Sequence, residues 1–262
     1  MVMKLRMKVS QFQDTLGVLG NLNKILTMII RPHSIQFQSL DSTKVALVQV
    51  TIPDSKLIAY TTDYVAAQFS VNVEDLMQDI SKGTVGGEIH MVVDDKKMTV
   101  KTKFFTSEYL INKQVEKDAE FKEFGGEGQP SFRLPEEIFN FLKVLLNRKI
   151  EKVIIQHTGE KMILFGESAR KYTVDVATTK CPPMGTTTVS VLWLTDILNS
   201  IKSEDIDIRF SSFGNLFIDT HANYGGVHAI LAGTVRKLEV PVDVPKIDLT
   251  DLEGKQIASW DY

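Results

Sequence analysis

Residues 34–52, SIQFQSLDSTKVALVQVTI, alternate apolar and polar side chains with the period of two expected of strands that rest one face on a core. Ile35 and Phe37 share one parity, and Gln36 and Gln38 the other. Beyond a short break, Ala46, Val48, Val50 and Ile52 alternate with Val45, Leu47, Gln49 and Thr51. Asp41, Ser42 and Thr43 occupy the break, and their side-chain oxygens bond readily to nearby backbone, so the chain is expected to turn there and return antiparallel.

The same periodicities carry the reading along the chain. A strand over 3–9 leads into a helix capped by Ser10, with Phe12, Leu16, Leu19 and Leu22 on its apolar face and Gly17 and Gly20 weakening it, so that it is short or closely packed. Strands follow at 25–30, 34–52 (the hairpin), 56–61 and 65–72, and the last runs directly into a helix over 73–82 with Val73, Leu76, Met77 and Ile80 inward. Three more strands are expected at 88–93, 98–104 and 108–114. Regular pattern then disappears over 115–130, where EKDAEFKEFGGEGQP is first charged and then glycine-rich, as in an interdomain linker.

Beyond the linker the order repeats. A strand over 131–134 and Pro135 open a helix carrying Ile138, Phe139, Leu142, Leu145 and Leu146 and ending near Lys149. Strands at 152–157, 161–166 and 171–179 follow, then a helix over 192–202 and strands at 206–211, 215–221 and 226–233. Val71, Val73, Leu76 and Ile80 superpose at one fixed shift on Val189, Val191, Leu194 and Leu198, so the chain reads as two similar halves, each of two β-α-β-β-β units. The expected division is an N-terminal domain over 1–117, a connecting linker over 118–130, a C-terminal domain over 131–235 and a tail over 236–262. The fold class is α+β.

Composition narrows the function. Thirty Lys and Arg against 33 Asp and Glu leave a net charge of −3, so a surface for a polyanion must come from segregated charge rather than from a basic total. The single cysteine, Cys181, excludes an internal disulfide framework and a multi-cysteine zinc site. No window reaches the length of an apolar membrane span, and Lys4, Arg6 and Lys8 are followed by no secretory apolar core, so an intracellular, membrane-free protein is expected.

Chemistry is sparse. GGEGQ lacks the Lys-Ser/Thr ending and the strand-to-helix setting of a phosphate loop. His33, His90, His157, His221 and His228 are scattered without metal-ligand spacing, and no nucleophile elbow or working carboxylate pair stands out. Asp94-Asp95 and Glu136-Glu137 lie at a turn and a helix start, where solvation or capping accounts for them. No enzyme, cofactor or metal is expected.

In spelling, QSLDSTKVALVQV resembles the early hairpin of the PCNA-type DNA sliding clamp, in which a Q-S-hydrophobic-D-S run precedes a V-x-L-V-x-V-like strand. The element order over 3–234 is similar to that family as well. The resemblance implies the DNA-clamp fold: two similar domains, antiparallel sheets outside and four helices inside, with subunits joined edge to edge into a homotrimeric ring around double-stranded DNA. It also implies clamp work in replication and repair, with DNA polymerase, a clamp loader and peptide-bearing replication proteins as partners. The setting would be with DNA, in the nucleus of a eukaryote or in the cytoplasm of an archaeon or a virus-infected cell. Two other readings are a clamp-fold subunit of a heteromeric ring or a monomeric polymerase accessory factor, and an enzyme on a clamp-like scaffold.

Carried across residue by residue, the resemblance assigns three surfaces. The helix cations Lys24, Lys82, Lys143, Arg148, Lys149 and Lys202 would touch phosphates, although the first helix offers Gln11, Gln13 and Asp14 where the family is rich in lysine, and Asp79 and Asp196 lie on other helices of the hole. A partner-peptide pocket would be walled by Leu40, Leu47, Phe121, Phe124, Ile230, Leu231, Ala232 and Gly233, the last where the family commonly has proline. The subunit interface would pair Glu108, Tyr109, Leu110, Ile111 and Lys113 of one copy with Tyr172, Val174, Val176 and Thr178 of the next. In the tail, Gln256 through Trp260 to Tyr262 loosely resembles a clamp-binding peptide, though packing of Trp260 on the sheet is the preferred expectation.

Overall fold

A computed structural model describes residues 1–20, 22–81, 87–114, 136–157, 161–166, 175–177, 185–201, 206–210, 215–222 and 225–235. The first half opens with β1 (Met3–Lys8), α1 (Val9–Gly20), β2 (Ile25–Arg31), β3 (Ser34–Leu40) and β4 (Ala46–Pro53). After a single 3-10 turn come β5 (Ala59–Thr62), β6 (Ala67–Asn72), α2 (Val73–Ser81), β7 (Glu88–Val93), β8 (Lys97–Lys101), β9 (Thr106–Leu110) and β10 (Asn112–Gln114). The second half has α3 (Glu136–Asn147), β11 (Lys152–His157), β12 (Lys161–Gly166), β13 (Asp175–Ala177) and β14 (Gly185–Ser190). It closes with α4 (Val191–Ser200), β15 (Ile206–Phe210), β16 (Leu216–Ala222), β17 (Gly225–Leu231) and β18 (Thr234–Val235). The strand expected over 131–134, the linker and the tail lie outside the described residues.

Three antiparallel sheets result, ordered β5-β1-β7-β8-β9, β10-β6-β2-β3-β4-β17-β16-β15 and β13-β12-β11-β14-β18. The middle sheet is built by both halves, because β4 pairs with β17 along Ala46–Thr51. Strand parity decides what each sheet buries. Met3, Leu5 and Met7 of β1 and Val48, Val50 and Ile52 of β4 are buried, while the residues between them face away from the core. Against this inner surface lie the helices, with Phe12 of α1 tilted on Phe37 of β3 at 5.8 Å between ring centroids.

Helix ends show the repeat in detail. Asn72 accepts from the Glu74 N–H at 2.9 Å, and Ser190 accepts from the Trp193 N–H at 3.4 Å, so equivalent residues cap α2 and α4. The cap expected at Ser10 is corrected: α1 starts one residue earlier, at Val9, whose N–H is already satisfied by the Gly87 carbonyl at 2.9 Å. α3 ends in a double backbone closure, Ile150 N–H to Leu145 O and Lys149 N–H to Leu146 O, with Lys149 in the left-handed region at φ 56°.

The expected strand over 108–114 is in fact two strands in different sheets. Ile111 donates its N–H to Lys96 O and is only 5% exposed, and directly after it the chain crosses over so that β10 pairs with β6. Burial of one apolar side chain at the crossing is what splits the run.

Candidate functional site: an apolar row beside a buried hairpin turn

The organising hairpin is held by one carboxylate. Asp41 is 1% exposed and accepts from the N–H groups of Thr43 at 2.9 Å, Val45 at 2.7 Å and Ala46 at 2.6 Å, and also from the Thr43 hydroxyl. Burial disfavours its charge, but the hydrogen bonds from the Thr43 hydroxyl and from the backbone of Ala46, Thr43 and Val45 prevail and hold its carboxyl below the ordinary value. A folded value lowered in this way contributes stability above the unfolded value near 3.8 and loses it as pH falls through the folded one. Asp41→Asn is therefore expected to cost about 1.5–3 kcal/mol at pH 7. Chemical denaturation repeated near pH 3 should show the gap to the parent narrowing.

The turn fixes the start of an apolar row on the outer face of the middle sheet. Leu40 of β3 stands opposite Leu47 of β4, Leu47 opposite Ile230 of β17, and Ile230 opposite Phe217 of β16. Cross-strand partners share a face, so these four side chains form a continuous strip. Leu40 is 40% exposed, Leu47 and Ile230 are half-buried, and Phe217 is largely covered. Ala232 closes the strip onto the hairpin by donating its N–H to Val45 O at 2.7 Å, and the Asn23 side chain holds Leu40 O at 2.8 Å.

Most of the expected pocket is thus gathered in one place. Leu40, Leu47, Ile230 and Ala232 meet there, with Gly233 following directly. Leu231 is a correction: it pairs with Ala46 on the opposite parity and is 1% exposed, so it supports the strip from inside the core. Phe121 and Phe124 lie outside the described residues. Phe217 was missed by sequence reasoning, because only the β16–β17 register places it beside Ile230.

Among the described residues β9 is the last strand of its sheet and β13 the last strand of another, so each has one side on which no described strand pairs. Glu108, Tyr109 and Leu110 lie on β9, and Leu110 is 92% exposed. Val176 lies on β13, while Tyr172, Val174 and Thr178 are outside the described residues. Ile111 and Lys113 are corrected: the first is buried at the crossing, and the second lies on β10 at the edge of the middle sheet. Asp79 of α2 accepts from the Ser107 and Tyr109 hydroxyls, both at 2.7 Å, and thereby anchors the inner side of β9. Burial and this carboxylate hold the Tyr109 phenol above its ordinary value.

The repeat gives these edges a specific relation. In the first half the order is β6-β2-β3-β4, and in the second it is β14-β11-β12-β13, so β13 corresponds to β4. After α2 come β7, β8 and β9, and after α4 come β15, β16 and β17, so β9 corresponds to β17. Inside the chain β4 pairs with β17; their counterparts β13 and β9 each have one side without a partner strand among the described residues.

The helix cations are dispersed. Lys24 follows α1 and pairs with Glu74 at 2.9 Å. Lys143 is exposed on α3, and Arg148 and Lys149 are exposed just beyond its end. Lys82 and Lys202 are outside the described residues. Burial raises the Asp196 carboxyl on α4 above its ordinary value. Among the described residues no group of three or more His, Cys, Asp and Glu is placed to hold a metal ion, and no helix is long and apolar enough to cross a membrane.

No family model matches the chain, and no curated protein matches it by sequence. Solved structures do match it in shape. One is "C-terminal region of FEN-1 bound to A. fulgidus PCNA", with a TM-score of 0.71, 14% identity, and coverage of 89% of this chain and 99% of that one. Another is the PCNA2-PCNA3 complex from Sulfolobus tokodaii, with a TM-score of 0.70, 14% identity, and coverage of 88% and 98%. At that identity the likeness speaks for the fold, and the antiparallel sheets, the four helices and the repeated halves agree with it: the chain is a PCNA-like clamp in its fold.

Proposed function

We propose that this chain is a DNA sliding clamp, which closes head to tail into a homotrimeric ring around duplex DNA and tethers DNA polymerase and other replication and repair proteins. The observation that carries the reading is the pair of edges β9 and β13, open among the described residues, which stand at the repeat positions of a pair already made within the chain. An open edge is a liability that closure into a ring removes, and a heterologous contact that closes yields a ring rather than a fibre. The apolar strip Leu40-Leu47-Ile230-Phe217 supplies a docking surface for a short hydrophobic peptide, in keeping with the FEN-1 segment on the A. fulgidus clamp. The chain acts as a tether without chemistry of its own, loaded by a clamp loader, and works where the genome is replicated.

Light scattering tests the assembly, and retention on nicked circular against linearised DNA tests encirclement. A ring that slides off linear ends but stays on circles fits the reading; equal loss from both refutes it. Within the hole, Lys143→Glu, Arg148→Glu and Lys149→Glu together are expected to weaken retention on circles equally for all sequences and to flatten its salt dependence, by about 0.9 of a logarithmic unit for each phosphate no longer neutralised. Unchanged retention would place the phosphate-binding cations elsewhere.

A second reading has this chain as one member of a mixed ring, in keeping with the two different clamps in the Sulfolobus tokodaii complex. A chain that stays monomeric alone and joins a ring only with a second clamp subunit would select it.

A further inference from the structure

Five Lys and Arg among the described residues gather on a sheet face away from the helices. In β1 the alternation that buries Met3, Leu5 and Met7 turns Lys4, Arg6 and Lys8 outward. Register extends the face across the sheet: Arg6 stands opposite His90 of β7, and His90 opposite Lys101 of β8, while Lys97 lies on the same face of β8. Four carboxylates reach the face: Glu88 pairs with Arg6 at 2.8 Å, Glu108 pairs with Lys97 at 2.7 Å, Asp94 stands opposite Lys97 at the β7–β8 turn, and Asp63 follows β5 on the parity of Lys4. Lys4, Lys8 and Lys101 have no carboxylate partner among the described residues, in a chain whose net charge is −3. The exposed side of α1 and α2 offers no cation at all among the described residues, only Asp14, Glu74 and Asp75 beside neutral side chains.

We infer that the outer face of the β5-β1-β7-β8-β9 sheet is a docking surface for the phosphate backbone of duplex DNA, separate from the hole of the ring; this rests on the DNA reading above. Strand rise sets Lys4, Arg6 and Lys8 about 6.6 Å apart along one line. A DNA strand carries a phosphate every 3.4 Å or so of its axis, so where a backbone crosses this line the long side chains can reach successive phosphates, and the roughly 13 Å from Lys4 to Lys8 is enough to span one groove. Among the described residues turned outward from β1, β7 and β8, His90 is the one ring; the exposed Phe104, with Lys103 over its ring at 5.7 Å, lies in the turn beyond Lys101, so a single strand of equal length is titrated beside the duplex to tell backbone contact from base stacking. Binding of this kind carries no sequence information and holds DNA from outside before or during encirclement.

The test is fluorescence anisotropy of a short labelled linear duplex, too short to retain a sliding ring, titrated with the full chain at several salt concentrations. The combined variant Lys4→Gln, Lys8→Gln, Lys101→Gln is expected to bind at least about tenfold more weakly at 50 mM salt, with a salt slope lower by about 2.7 for three phosphates no longer neutralised. Glu88→Gln, which releases Arg6 from its partner, is expected to tighten binding, a gain that a misfolded protein would not show. Unchanged binding by the triple variant, or no tightening in Glu88→Gln, overturns the inference. So does polyglutamate binding this face as tightly as DNA at equal salt, which would assign it to an acidic protein partner. Retention on nicked circular DNA, measured on the same samples, reports encirclement independently, so a failed outer face and a failed ring are told apart.

Discussion

Glu108→Pro is expected to leave a folded chain that no longer assembles. Thr102 N–H bonds Phe105 O at 2.9 Å and Ile111 N–H bonds Lys96 O at 3.2 Å, which fixes the hydrogen-bonding parity of β9. The N–H groups of Ser107 and Tyr109 therefore point toward β8, and those of Thr106, Glu108 and Leu110 toward the open side. Proline at 108 removes a donor that the single chain does not use, at an edge where proline is tolerated. What is lost within the chain is the Lys97–Glu108 pair, exposed on both sides and contributing about 0–1 kcal/mol. A join between copies would lose a ladder bond and meet the ring of the proline in its place. Light scattering should give the mass of one chain at concentrations where the parent is a ring, with a denaturation midpoint close to the parent's. Tyr109→Pro is the contrast: it removes a bond to β8 and should lower the stability of the single chain itself. If Glu108→Pro keeps the parent's mass, the assembly runs through another edge.

The second large effect is expected at the apolar strip. Leu40→Ala with Ile230→Ala truncates two outward side chains that flank Leu47. Burying each such side chain under a partner contributes about 1.5–3 kcal/mol before ordering costs, so the double variant should weaken a hydrophobic partner peptide by a factor of about 100 or more. Calorimetric titration of the peptide, followed by primer extension with loaded clamp, reads the loss. Ring mass and retention on circular DNA should stay as in the parent, because the strip faces away from the helices. Leu231→Ala, one residue along, separates packing from docking: at 1% exposure it should cost the fold about 2–5 kcal/mol with no selective effect on the peptide. Full stimulation of polymerase by the Leu40→Ala, Ile230→Ala variant would exclude the strip as the docking site.

The sequence by itself determined the local elements and their repetition. Alternation in MKLRMK and in ALVQVTI fixed which side chains face the core, since a strand has no other way to bury every second residue. The match of 71–80 to 189–198 anticipated two strand-to-helix junctions, and the structure gives both the same kind of polar cap, Asn72 and Ser190. Asp41, Ser42 and Thr43 identified the turn, because side chains so short can reach only nearby backbone.

Tertiary structure decided how distant elements meet. Nothing local shows that β4 pairs with β17, and that pairing brings Ile230 to Leu47, while the β16–β17 register adds Phe217 beside it and Leu231, on the other parity, faces inward. The strand-like run through 108–114 concealed a crossing at Ile111, because a continuous pattern does not reveal which neighbour supplies each hydrogen bond. Asp79 read as a charge on a helix face, yet two hydroxyls of β9 claim it. The outward line of Lys4, Arg6 and Lys8 was legible in the alternation, but its extension to Lys97 and Lys101 depends on β7 lying between β1 and β8. Periodicity acts through the chain's own geometry over a few residues, whereas register and sheet order arise from burial between segments far apart in sequence, which only the folded chain brings together.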